Sequence, residues 1–221
     1  MPPTEPIVLA TGNAHKVEEM RAILAPLGIP LLGLNDLRAQ GEGPFPEPAE
    51  TGGTFEANAS IKALAYARAT GRLCLADDSG LEIDALAGRP GVISSHYATD
   101  GRETGLSRAD RDAANNARVL RELEGVPPRD RAARFVCVML LASPDGELAR
   151  ARGTFEGRIG VPGPAQEGGV PRGDNGFGYD PLFLVGPEFR RTSAELSSEE
   201  KNALSHRGHA ARAMARCLAD M

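Results

Sequence analysis

Four short stretches of this chain hold residue types that can work on phosphate or on a flat ring. Thr11-Gly12-Asn13-Ala14-His15-Lys16 lies where an apolar run, Ile7–Ala10, hands over to a helical pattern. A helix N-terminus offers unpaired backbone N–H groups and the positive end of the macrodipole, so such a turn can hold phosphate. Lys16 sits in that first turn, where a cation is disfavoured without an anionic partner. The alternative is an ordinary capped turn with a solvated lysine, His15 facing solvent. The stretch is not a P-loop, because GxxxxGK[ST] is absent.

Asp77-Asp78-Ser79-Gly80 follows the apolar run Arg72–Ala76. Adjacent side chains of extended backbone point opposite ways, so the two carboxylates take different roles. One can face a cleft and hold a hard cation such as Mg²⁺, which keeps waters that can act as nucleophile. The other reading is an Asx-type surface turn that ends the strand. Glu50, in the loop before the next helix, can complete a sparse carboxylate site with Asp78. Lys62 lies near the apolar stripe of that helix, as a ligand or as a snorkelling lysine.

Phe177-Gly178-Tyr179-Asp180-Pro181 offers rings to stack on a base and a carboxylate to accept from it, or else two aromatics buried beside a strand. Lys201 with Ser205-His206-Arg207-Gly208 can hold phosphates and donate to a base carbonyl. His206 and His209 are three apart, but lack the further ligands of a zinc site.

These residues need elements to position them. Val17, Met20, Leu24 and Leu27 recur at helical spacing, with Asn13 as N-cap and Gly28 as stop. Residues 31–50 read as a brief apolar segment and a Pro/Gly/Glu-rich loop. Thr54 caps a helix to about Ala69, with Phe55, Ala59, Ala63 and Tyr66 on one stripe and Asn58 and Lys62 beside it. The strand 72–76 ends at the acidic turn and resumes over 81–83. Residues 87–106 read as irregular, and a helix follows from Ser107 to before Gly125. A hairpin of 134–142 and 147–155 turns at Ser143-Pro144-Asp145-Gly146. Ser197 and Glu200 form a capping box for the helix carrying Lys201, and the last helix spans about 208–219. Strands interleaved with helices give an α/β protein.

Composition narrows the partners. The 221 residues carry a formal net charge of −5, which argues against wrapping nucleic acid or an anionic membrane. A local phosphate site needs only a few cations, and the lysines are Lys16, Lys62 and Lys201. The longest apolar run, 135–142, is too short to span a bilayer, and the first six residues lack a signal-peptide pattern. Cys74, Cys137 and Cys217 fit free thiols in a reducing, cytoplasmic compartment.

Taken together, the stretches VLATGNAHKVEE (8–19), ETGGTFEANASIKA (50–63), LADDSGLEIDAL (75–86), PGVISSHY (90–97), ARFVCV (133–138), GFGYDPLF (176–183) and AELSSEEKNALSHRGHA (194–210) resemble the inosine triphosphate pyrophosphatase family in its bacterial form. The resemblance implies an α/β fold with an elongated mixed β-sheet and flanking helices, two lobes enclosing a nucleotide cleft. It implies a homodimer, and the chain reads as one domain over 1–221 with an unstructured or poorly ordered N-terminus, 1–6. Family members convert inosine, deoxyinosine and xanthosine triphosphates to the monophosphate and pyrophosphate, with Mg²⁺ as cofactor.

Carried over residue by residue, the resemblance makes Asp78 catalytic and a magnesium ligand with Glu50. Thr11, Gly12, Asn13, Ala14, His15, Lys16, Lys62 and Ser79 would line the phosphate side. Phe177, Gly178, Tyr179, Asp180, Lys201, His206 and Arg207 would make the remaining nucleotide contacts. His96 departs from the pattern, standing where bacterial relatives commonly carry Arg, and the loop 160–175 is longer and more charged than usual. Three other readings stay open. They are a pyrophosphatase of related fold acting on modified pyrimidine nucleotides, a non-hydrolytic nucleotide sensor, and a generic ATPase, which the missing P-loop disfavours.

Overall fold

The computed structural model describes residues 5–221, apart from the side chains of Ala14 and His15. Of the stretch 1–6 expected to be poorly ordered, residues 1–4 lie outside the described residues, and Glu5 and Pro6 are exposed. The described strands are β1 (Ile7–Leu9), β2 (Leu31–Gly33), β3 (Cys74–Ile83), β4 (Ala132–Ser143), β5 (Gly146–Ile159) and β6 (Phe183–Val185). They form one sheet in the order β2-β1-β3-β4-β5-β6. It is mixed: β1 runs parallel to both β2 and β3, whereas β5 and β6 are antiparallel. The helices are α1 (Ala14–Leu24), α2 (Leu34–Ala39), α3 (Phe55–Thr70), α4 (Arg108–Glu122), α5 (Ser198–Leu204) and α6 (His206–Ala219). The α/β class with a mixed sheet and helices is therefore observed. No described helix is long and apolar enough to cross a membrane.

The chain forms two compact units. The first comprises Met1–Asp78, Cys137–Thr154 and Ser205–Met221. Its core sets Ile7, Leu9, Leu75 and Met139 of the strands against Met20 and Leu24 of α1 and Met214 and Leu218 of α6. Each such side chain contributes about 1.5–3 kcal/mol on burial, which lets a three-residue strand like β1 persist without strong local propensity. Thr54 caps α3 as expected, its Oγ1 accepting from Ala57 N at 3.2 Å. Phe55, Ala59, Ala63 and Tyr66 are buried, and so are Asn58 and Lys62.

The second unit comprises Ser79–Val136 and Phe155–Leu204. Its core gathers Tyr97, Val119, Leu123, Phe135, Phe155, Phe183 and Leu196. The Phe183 ring lies 4.6 Å from Phe135 and 5.3 Å from Phe155, centroid to centroid. Ser107 caps α4, accepting from Asp110 N, and Ser197 with Glu200 makes the expected box ahead of α5.

Four local expectations need correction. Strand β3 does not stop at the acidic pair; it runs unbroken from Cys74 to Ile83. Each carboxylate meets a cation from its own side, which removes the penalty that would have turned the chain. Residues 34–39 form α2, whose Leu34 and Leu37 are buried and whose Asp36 Oδ2 accepts from Gly33 N at 2.7 Å. A 3₁₀ segment, Gly91–Thr99, occupies part of the stretch read as irregular. Helix α6 begins at His206, because Ser205 Oγ accepts from Gly208 N at 3.1 Å and caps it two residues earlier than expected.

Candidate active site

In the first unit, β3 separates its consecutive acids onto opposite faces, as extended backbone requires. On one face, Asp78 Oδ1 accepts from Lys62 Nζ at 3.2 Å, and the same nitrogen donates to Glu50 Oε2 at 3.0 Å. Lys62 reaches there from α3 and is 6% exposed. Asp78 Oδ2 is buried and has no hydrogen-bond partner among the described residues. On the other face, Asp77 Oδ2 lies 2.9 Å from Lys16 Nζ and 3.5 Å from Arg207 Nη2. Arg207 is 1% exposed and also pairs with Glu19 of α1.

The two faces differ electrostatically. Around Asp77, the described ion pairs set Asp77 and Glu19 against Lys16 and Arg207. Around Asp78, two acids share one lysine, which leaves an excess negative charge and an unused oxygen. Burial pushes the Asp77 carboxyl up, but Lys16, Arg207 and Lys62 outweigh it and hold the group well below the usual carboxylate range. Burial pushes Asp78 up too, with Glu50 adding to it, and Lys62 and Lys16 only partly oppose the rise. Lys62 loses stability as a cation through burial, yet Asp78, Asp77 and Glu50 raise it overall.

The turn before α1 is built as a capped turn. Thr11 Oγ1 accepts from Asn13 N at 3.1 Å, and Asn13 Oδ1 accepts from Lys16 N at 3.4 Å. Gly12 is exposed. The Lys16 anion sought in the sequence is Asp77 within the protein. The side chains of Ala14 and His15 lie outside the described residues. His206 and Arg207 occupy the first turn of α6, which packs closely on β5. A Cβ on Gly153 would stand 2.2 Å from His206 O, so only glycine admits that turn.

The second unit assembles Phe177, Gly178, Asp180 and Lys201. Asp180 Oδ2 accepts from Phe177 N at 2.9 Å and from Lys201 Nζ at 2.6 Å, with both charged groups buried. Lys201 Nζ is 5.1 Å and Arg108 Cζ 4.6 Å from the centroid of the Phe177 ring, within cation–π range. Tyr179 is buried in the core and its hydroxyl donates to Ser94 O at 2.7 Å. Its ring thus serves packing, the plainer of the two readings of this motif. Ser79, the first residue of this unit, is half-buried within β3.

Residues absent from the sequence reading also belong to these clusters. Glu19 joins Asp77 as a counter-charge to Arg207. Arg108, Asp112 and Asn116 of α4 approach the Phe177-Gly178 segment: Gly178 N donates to Asp112 Oδ2 and Asn116 Nδ2 donates to Gly178 O, both at 3.0 Å. His96, at the position of departure, lies 2.9 Å from Glu103 Oε2 and 3.0 Å from Arg111 Nη1. A cation does stand there, but it is supplied by Arg111.

The chain's similarity to known proteins extends over nearly its whole length. A dITP/XTP pyrophosphatase of Nitratidesulfovibrio vulgaris is 50% identical over 206 residues, 93% of this chain and 92% of the relative. One from Thermus thermophilus is 45% identical over 214 residues, 97% of this chain and 92% of its own. The solved structure of a HAM1 protein from Coxiella burnetii superposes with a TM-score of 0.79 at 40% identity, covering 98% of this chain and 99% of the other. A nucleoside-triphosphatase / dITP/XTP pyrophosphatase from Mycobacterium abscessus gives a TM-score of 0.69 at 40% identity, covering 95% and 98%. The Ham1 family pattern itself matches residues 7–217, and with identities this high over such coverage the chain belongs to the Ham1 family.

Proposed function

We propose that the chain is a nucleoside triphosphate pyrophosphohydrolase that clears non-canonical purines, converting inosine, deoxyinosine and xanthosine triphosphates to the monophosphate and pyrophosphate. Its similarity to proteins named dITP/XTP pyrophosphatases supports the substrate class. The observation that carries the chemistry is the Asp78–Lys62–Glu50 group, with its excess negative charge and the unused Asp78 Oδ2.

The donor set fits a hard divalent ion. Two carboxylates with an open oxygen suit Mg²⁺, which keeps most of its waters. Among the described residues no cluster of three or more His, Cys, Asp or Glu offers a protein cage for a softer metal. Glu50 and Asp78 would hold the ion, which when bound supplies neutralisation of phosphate charge and polarisation of the phosphorus.

In this reading Asp78 orients a water and accepts its proton as the oxygen bonds to the α-phosphorus. The bond from that phosphorus to the bridging oxygen breaks, and pyrophosphate leaves with its electron pair. Lys62 keeps the Asp78 carboxylate aimed, Lys16 stabilises charge developing on the leaving group, and Lys201 holds Asp180 beside the Phe177 ring at the base contacts. Thr11, Asn13 and Ser79 add polar contacts to phosphate, while His206 and Arg207 present the first turn of α6. Phe177 stacks on the base, and Asp180 meets its edge.

The test is a panel of nucleoside triphosphates assayed for pyrophosphate release with and without Mg²⁺. Pyrophosphate and inosine monophosphate in equal amounts, dependent on Mg²⁺, are expected. Release of orthophosphate instead, or hydrolysis indifferent to the base, would overturn the proposal.

A further inference from the structure

Phe177 stands between two glycines in left-handed backbone, Gly176 at φ +80° and Gly178 at φ +64°. Neither neighbour restricts the ring locally, so its direction is set by the groups that hold the segment and the ring from outside. Asp180 takes the Phe177 N–H. The next residue is held on both sides by α4, Asp112 accepting from Gly178 N and Asn116 donating to Gly178 O, so the two peptide groups that flank the Gly178 Cα are both fixed.

Arg108, Asp112 and Asn116 are spaced four apart and form one ridge of α4. The two shorter side chains make no other described hydrogen bond. Asp112 has only a loose ion pair with Arg108, at 3.9 Å, and Asn116 Oδ1 is buried without a partner among the described residues. Both are committed to one glycine 62 or more residues away in sequence. The third member, Arg108, lies against the Phe177 ring itself. A ridge serving only to attach α4 would not spend two polar side chains on the N–H and the C=O of the same glycine.

We infer that Asp112 and Asn116 are positioning residues for the base: they clamp Gly178 through the peptides on either side of it and so aim the Phe177 ring. The inference rests on the proposed function, in which that ring stacks on a purine. The clamp acts on the base end of the substrate and leaves the chemistry at phosphorus alone.

The experiment compares Asp112→Ala, Asn116→Ala and Asp112→Asn with the wild-type chain, each with Mg²⁺ present. The readouts are KM and kcat for inosine triphosphate and the inhibition constant of inorganic tripolyphosphate, which has no base. Each alanine variant is expected to raise KM about five- to tenfold, the effect of losing one hydrogen bond with a charged or polar partner. Values of kcat within about twofold and unchanged tripolyphosphate inhibition are expected alongside. Asp112→Asn keeps an acceptor oxygen and should recover most of the loss. An equal loss of tripolyphosphate affinity, an unchanged KM, or an Asp112→Asn variant no better than Asp112→Ala would overturn the clamp. If Asp112→Ala does not fold, Asn116→Ala and Asp112→Asn decide by the same readouts. Failure of the wild-type chain to hydrolyse inosine triphosphate would instead reject the proposed function, so the two failures are separable.

Discussion

Asp77 and Asp78 are consecutive in β3 yet belong to different charge systems, Asp77 with Lys16 and Arg207 and Asp78 with Lys62 and Glu50. Among the described ion pairs, the surplus negative charge falls on the Asp78 side. Replacing Asp78 by Asn should therefore leave folding intact and cut turnover at least about a hundredfold, as expected when a general base is removed. Turnover within about threefold of the unaltered chain, at saturating Mg²⁺ and substrate, would exclude Asp78 as the catalytic carboxylate.

The neighbouring substitution should behave in the opposite way. Asp77→Asn leaves Arg207, 1% exposed, and Lys16 short of a counter-charge. Breaking a buried pair from one side costs about 3–5 kcal/mol. Because the folded-state carboxyl is held below its unfolded value, its stabilisation is present above the unfolded pKa and fades as pH falls through the folded one. Denaturant melts at pH 7 should show the loss, and the difference between the two chains should shrink in strong acid. Equal stability at pH 7 would remove Asp77 from this role.

An alkaline transition should appear in the second unit. Burial pushes Tyr97 up to about 12, and the hydrogen bond to Glu122 adds to it. A raised tyrosine contributes stability that is whole below its unfolded value and lost as pH climbs through the folded one. Between about pH 10 and 12, the unaltered chain should lose stability more steeply than Tyr97→Phe. Thermal melting across that range is the measurement, and parallel curves would contradict the assignment.

Lys16→Ala and Lys201→Ala should each weaken binding of a non-hydrolysable inosine triphosphate analogue, and the exposed part of the effect should shrink in high salt. Lys201→Ala should do more, since it also strips the buried Asp180 of its cation and loosens the contact to Phe177 N. Unchanged affinity in both variants would exclude both lysines as nucleotide contacts.

The legible parts of this chain were those decided locally. Thr54, Ser107 and the Ser197/Glu200 box announce α3, α4 and α5, because a cap acts within three residues of itself. The α3 stripe is legible for the same reason, and it carries Lys62 to its place. Strand β3 was not, since Asp77-Asp78-Ser79-Gly80 is a turn by composition and becomes strand only through distant cations. Arg207 has the composition of a surface residue and is almost wholly buried. Asp112 and Asn116 look like the solvated face of a polar helix, because their partner lies more than sixty residues downstream. Short α2 offers only Leu34 and Leu37 to a periodicity reading, too few to separate it from a loop.

Specificity is the sharpest remaining prediction. Inosine, deoxyinosine and xanthosine triphosphates should be strongly preferred over adenosine triphosphate, with little distinction between ribose and deoxyribose. The Phe177 ring stacks on any purine and cannot make this choice. It falls to groups that meet the base edge, with His206 and local backbone N–H groups as candidate donors to the 6-keto oxygen and Asp180 as a candidate acceptor for the ring N1–H that adenine lacks. A 6-keto oxygen accepts a hydrogen bond where the 6-amino group of adenine donates, so a fixed donor would face another donor. Each polar group left buried and unpaired costs about 1–3 kcal/mol, and two such clashes would give discrimination of several powers of ten. Guanosine triphosphate shares the 6-keto oxygen, so its 2-amino group has to be excluded by shape or left unsatisfied. The measurement is kcat/KM for each triphosphate at one pH and one Mg²⁺ concentration. Equal values for inosine and adenosine triphosphates would defeat the clearing role even with pyrophosphate as the product.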